Sequence, residues 1–101
     1  MPEPVNRLDI QGRITEVSPL RYTPAGVAVL EILLEHESEV IEAGQPRRLM
    51  FCVPVILMGD LAIMHSDKTL GVVLQVSGFM APVRKDSPRF RLHAQQVKQI
   101  E

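Results

Sequence analysis

Apolar and polar residues alternate along most of this chain, and the alternation breaks where proline, glycine, serine and aspartate gather. Over residues 5–17, Leu8, Ile10 and Ile14 fall on one parity and Arg7, Asp9, Gln11, Arg13 and Thr15 on the other, the period-2 pattern of a half-buried strand. Gly12 inside that pattern marks a bend of the kind a small closed barrel needs at its corners. Ser18–Gly26 carries two prolines and a glycine and reads as a loop, offering Arg21 and Tyr22. The second strand, Val27–His36, sets Ala28, Leu30, Ile32 and Leu34 against Val29, Glu31, Leu33 and Glu35. Val29 and Leu33 make that second face half apolar, so another strand or a partner subunit is expected to cover part of it. Glu37–Pro46 is a polar connection whose length predicts a mobile loop rather than a tight turn. The third strand, Arg47–Leu57, points Leu49, Phe51, Val53, Val55 and Leu57 inward and Arg48, Met50 and Cys52 outward. Pro54 within it demands a bulge, an edge or the end of pairing.

Gly59–Gly71 spaces Leu61, Ala62, Met64 and His65 as a short helical or irregular plug. Gly71–Val97 is a hairpin: Val72, Leu74, Val76 and Met80 oppose Gln75 and Ser77, and Phe90, Leu92 and Ala94 alternate with Arg89, Arg91, His93 and Gln95. Pro82, Asp86, Ser87 and Pro88 supply the turn, because proline fixes φ while Asp and Ser bond their own backbone. These elements predict an all-β fold, a five-stranded Greek-key OB-fold barrel with a short helical or irregular insert between strands 3 and 4. An SH3-type barrel is the competing architecture; strand count and the position of the insert favour the OB arrangement.

At 101 residues and 46% hydrophobic, the chain is long enough for one compact core and too short for two. The expectation is a single OB-fold domain over residues 5–100 preceded by a disordered N-terminus at 1–4. No apolar run approaches the ~18 residues of a membrane helix, and MPEPVNRL lacks the basic start and apolar stretch of a signal peptide, so a cytoplasmic location is expected. The lone Cys52 reads as a small buried hydrophobe. A net charge of −1 argues against a phosphate-bearing partner, but the average conceals segregation. Glu31, Glu35, Glu37, Glu39 and Glu42 fall in one stretch without Lys or Arg, whereas Arg47, Arg48, Arg84, Lys85, Arg89 and Arg91 lie in two others. If the basic stretches share a face, the surface is bipolar.

No nucleophile with a base, no carboxylate pair and no phosphate loop of the GxxxxGK type is legible, and His36, His65 and His93 lack metal-ligand spacing. The chain is therefore read as no enzyme, with no cofactor and no metal. Binding chemistry remains. OB folds hold single strands with a positive groove and stacking side chains on strands two and three and on the loops after strands one and four. The candidates there are Arg21 and Tyr22 in the first loop, Arg47, Arg48 and Met50 on the third strand, and Arg84, Lys85, Arg89 and Arg91 in the last hairpin. The plainer reading makes the arginines solvated strand charges and Tyr22 a loop-packing residue. Phe51 and Phe90 look inward by parity, which leaves Tyr22, Phe79 and arginine planes for stacking, so charge is expected to dominate and salt to weaken binding steeply.

Seven short segments, in order and spacing, carry a likeness: NRL at Asn6–Leu8, LEH at Leu34–His36, EAG at Glu42–Gly44, PVI at Pro54–Ile56, His65–Ser66, Gly78–Phe79, and LHA at Leu92–Ala94. In these the chain resembles the primosomal replication protein N (PriB) family. The resemblance implies an OB-fold homodimer related to the bacterial single-stranded DNA-binding protein. It further implies binding to single-stranded DNA, to the PriA helicase and to other primosome proteins, and no catalysis. By position it implies DNA contacts at Arg47, Lys85 and Arg89. The chain departs from that pattern at Met50, where a tryptophan is usual, and at Tyr22, where a lysine is. The hairpin loop is also shorter, and Asp86 and Pro88 interrupt its charge. The other reading is a module that bridges primosome proteins with only weak, charge-driven DNA binding.

Overall fold

The computed structural model describes residues 2–101, so of the expected N-terminal segment Met1 lies outside the described residues. The alternating segments form strands β1 (Leu8–Val17), β2 (Arg21–Tyr22), β3 (Ala28–Glu42), β4 (Gln45–Met58), β5 (Val73–Pro82) and β6 (Phe90–Gln99). One short helix, α1 (Asp60–Met64), precedes β5. The strand β1 pairs antiparallel with β5 from Leu8 to Arg13 and then with β3 from Arg13 to Val17. That handover closes a five-stranded barrel in the order β1, β3, β4, β6, β5, with β4 and β6 parallel. This is the expected OB arrangement, with α1 as the insert.

Gly12 sits at the handover. A Cβ there would meet the Glu35 carbonyl oxygen at 2.9 Å and Leu34 Cβ at 3.0 Å, so the crossing of β1 over β3 requires a residue without a side chain. The register irregularity itself falls just after it, between Ile14 and Glu16. Ile14, Leu30, Leu34, Leu57, Leu74 and Leu92 fill the barrel at 1% exposure or less, and Ala62 of α1 packs against them. The helix is too short to stand alone; it exists because that packing replaces the missing propensity.

The structure corrects four expectations. Ser18–Gly26 is not wholly a loop, because Arg21 and Tyr22 pair with Val29 and Ala28. The edge of β3 that β1 takes only from Ile32 onward leaves Ala28 and Val29 free to pair. Val29 lies between Arg21 and Met58 in the ladder and is 1% exposed, so its half of the apolar face is covered within the protomer. Glu37–Pro46 is not a mobile loop either: β3 and β4 stay paired out to Glu42 and Gln45, leaving a two-residue turn. Ala43 and Gly44 hold φ of 52° and 77°, the two positive values that a type I′ hairpin turn demands.

The remaining corrections concern depth. Phe51 and Phe90 do carry inward parity, yet both are exposed, because β4 and β6 run past the last core layer made by Val53 and Leu92. Cys52 is exposed, not buried, since it sits on the outer parity of β4 beyond the barrel. Pro54 meets its expected position: it pairs with Leu33 on one side, while on the other β6 meets β4 only at Val55 and Ile56.

Candidate nucleic-acid interface

The tip between β5 and β6 is ordered by its own bonds. The Val83 N–H donates to the Arg89 carbonyl (2.9 Å), the Ser87 N–H to the Arg84 carbonyl (3.0 Å), and the Arg89 N–H to Ser87 Oγ (3.1 Å). Asp86 takes the left-handed conformation (φ 64°) that lets so short a loop reverse. Arg84, Lys85 and Arg89 are exposed and join none of the ion pairs among the described residues. Cations without a carboxylate partner present their full charge to a phosphate.

The other four candidate arginines, Arg21, Arg47, Arg48 and Arg91, are engaged. Arg47 Nη1 donates to Glu42 Oε1 at 2.7 Å, and Arg48 is paired with Glu37 across the same ribbon. The acidic stretch and the first basic stretch therefore lie on one hairpin, with Arg48 facing Glu39 and Arg47 facing Val40 in the ladder. They do not make opposite poles there. Glu31 accepts from two guanidiniums at once: Arg91 Nη1 at 2.9 Å and Arg21 Nη2 at 3.2 Å. Through that carboxylate the outer face carries a chain of charge from β2 across β3 to β6. Beside it, His93 stacks on Phe79 with centroids 5.0 Å apart and planes at 12°. Burial first, and then the neighbouring Arg91 charge, hold His93 below its ordinary pKa.

The parallel register of β4 and β6, Val55 with Leu92 and Ile56 with His93, puts the β5–β6 tip at the same end of the barrel as the β3–β4 ribbon. Arg84, Lys85 and Arg89 thus share an end with Arg47, Arg48 and Met50, which is 61% exposed. Tyr22, 60% exposed, is at the other end: its partner Ala28 accepts from the Gly59 N–H at the start of α1. Met50 pairs through Glu37, so on the order of 30 Å of β3 separates the two. Parity missed the exposed Phe51 and Phe90; the signal that could have found them is their position beyond the last apolar residues with partners on both sides.

Residues 6–96 match a family described as "another single-strand binding protein family". The chain is 48% identical over 96 residues to the replication restart protein PriB of Bordetella pertussis (strain Tohama I), covering 95% of this chain and 90% of that one. It is 35% identical over 96 residues to the PriB of Neisseria meningitidis serogroup C (strain 053442), covering 95% of each. Among solved structures, PriB from Ralstonia solanacearum superposes with a TM-score of 0.86 at 26% identity, covering 97% of this chain and all of that one. The single-stranded DNA binding protein from Thermus aquaticus reaches 0.78 at 27% identity, covering 96% of this chain and 50% of that one.

Proposed function

The chain belongs to the PriB family of replication restart proteins, and from that membership we propose that it is a non-enzymatic replication restart protein that binds single-stranded DNA. The observation that carries the reading is the β5–β6 tip, where Arg84, Lys85 and Arg89 stand without carboxylate partners among the described residues. Arg47 and Arg48 add to it, because exposed ion pairs are worth about 1 kcal/mol or less and exchange readily for a phosphate. Arg91 contributes less directly, being 21% exposed and bound to Glu31. Met50 borders the surface at this end on β4, whereas Arg21 and Tyr22 on β2 stand at the other end of the barrel and would meet only a strand that runs its length. The partners proposed are the PriA helicase and other primosome proteins, and the acting unit is a homodimer in the cytoplasm.

Labelled oligonucleotide anisotropy at a series of salt concentrations tests this. Three phosphate contacts to a single strand give a slope of about −2 in log K against log salt. The triple variant Arg84→Ala, Lys85→Ala, Arg89→Ala is expected to lose most of that slope, whereas a flat wild-type response would refute a charge-driven site.

The bridging reading is favoured by one observation: Arg47 and Arg48 are tied to Glu42 and Glu37, which leaves the ribbon with an excess of carboxylate. If the triple variant loses DNA binding yet still stimulates the helicase, bridging is the main role. If stimulation is lost with it, DNA binding is.

A further inference from the structure

Two phenylalanine rings lie open at the end of the barrel from which both hairpins project. Phe51 of β4 is 45% exposed and Phe90 of β6 is 54% exposed. Each continues the inward parity of its strand, one step past Val53 or Leu92, so each ring leaves the core and faces the barrel mouth. Since β4 and β6 are parallel neighbours, carrying their register back from Val55 and Leu92 brings Phe90 level with Val53. Phe51 is then two residues away along the strands, on the order of 7 Å. That is a spacing two successive bases of a single strand can match.

The Phe51 ring is also held in place. His36 lies against it with centroids 5.1 Å apart and planes at 49°. His36 is fixed in turn, with Nδ1 donating to the Gln11 carbonyl at 2.7 Å and Nε2 hydrogen-bonded to Ser38 Oγ at 2.8 Å. A ring supported on one side and open on the other loses little side-chain freedom when a ligand stacks on it. Phe90 directly follows Arg89, one of the three tip cations without a carboxylate partner among the described residues. Phosphate and base contacts are thereby offered by adjacent residues.

We propose that Phe51, supported by His36, and Phe90 form a two-ring site at the barrel mouth that stacks unpaired bases of the strand whose phosphates the β5–β6 tip holds. The inference rests on the single-strand reading above and adds to it the path of the strand. Met50 and Phe51 are consecutive on β4 and so point to opposite faces. The bases therefore cross the mouth rather than follow the Met50 face.

The chain has no tryptophan, so Phe51→Trp and Phe90→Trp, made separately, each introduce a single fluorophore. Titration with oligo(dT) is expected to quench both, with the same midpoint that anisotropy of a labelled oligo(dT) reports. Phe51→Leu and Phe90→Leu are expected to weaken binding by about 5-fold or more each, with the salt slope unchanged. Both positions are exposed, so thermal unfolding of the Leu variants should match the wild type. Wild-type affinity in both Leu variants, with Trp emission insensitive to oligo(dT), overturns the site; an effect at one ring alone overturns the two-ring arrangement. Absence of any oligo(dT) binding by the wild-type protein sinks the single-strand reading itself and this one with it, which the anisotropy arm tells apart from a failure of the rings.

Discussion

At Gly78 the backbone of β6 lies close against β5. The register slips between Ser77 and Gly78, and a Cβ on Gly78 would overlap the His93 carbonyl oxygen. Two of the short segments that carried the family resemblance, Gly78–Phe79 and Leu92–Ala94, face one another here, with Phe79 stacked on His93. Backbone cannot yield as a flexible side chain can, so Gly78→Ala is expected to cost about 3 kcal/mol or more, read as the shift in urea unfolding. Titration adds a second residue-scale prediction. His65 and His93 are both held below the ordinary 6.5, burial being the first cause for each; Lys68 then adds to the lowering at His65, and Arg91 at His93. Above 6.5 neither state binds the proton and stability is complete. As pH falls below 6.5 the unfolded chain takes protons that the folded one refuses, so stability declines until the folded values are reached. Urea unfolding compared at about pH 7.5 and about pH 5.5 should show that decline, and His93→Gln should make it shallower. Asp9, lowered by its bonds from Ser77 and Arg7, acts only below its ordinary 3.8 and outside this window.

The element that departs most from the chain's linear pattern is the β3–β4 ribbon. An isolated two-stranded ribbon is marginal in water. Here it grows out of a barrel that fixes its register, and Arg48–Glu37, Arg47–Glu42 and the His36–Phe51 contact tie it across. Its turn is not optimal, since Ala43 holds φ 52° with a Cβ that resists the left-handed region. Ala43→Asn, which suits the first position of a type I′ turn before Gly44, is expected to raise stability by about 0.5–1 kcal/mol. Thermal unfolding measures it, and a lower midpoint would contradict the turn assignment. Polarity in Glu37–Pro46 pointed to a loop because the ribbon has no core to bury; its alternation, Glu39 and Ile41 against Val40 and Glu42, serves a strand wet on both faces.

At the scale of the whole molecule, the barrel removes edges and the ribbon restores them. Among the described residues, the stretch of β4 before Val55 meets no strand on the side away from β3. The same ribbon exposes Met50 of β4 at 61% and Ile41 of β3 at 70%. A row of unpaired N–H and C=O groups beside apolar side chains favours a second copy. With Val29 covered inside the protomer, this edge rather than the β3 face now supports the proposed homodimer. Light scattering at micromolar concentration should give a mass twice the 11.3 kDa of one chain, and a single-chain mass would remove the dimer.

Alternation in the sequence was enough to give the five barrel strands and their inward parity, because period-2 burial is a local consequence of pleating, and their number with the place of the insert gave the OB order; β2 and the ribbon beyond His36 were not among them. It also marked Gly12 at the barrel corner and the basic run Arg84, Lys85, Arg89. Parity says which way a side chain points, however, and not whether anything lies there to cover it. Depth was therefore decided by tertiary structure alone: Phe51, Cys52 and Phe90 are open because β4 and β6 outrun the core. Charge partnership followed the same rule. Arg47, Arg48, Arg21 and Arg91 read as one class with Arg84, Lys85 and Arg89 along the chain. Only the cross-strand register, which joins residues up to 60 apart, bound the first four to glutamates and left the tip with its charge unspent.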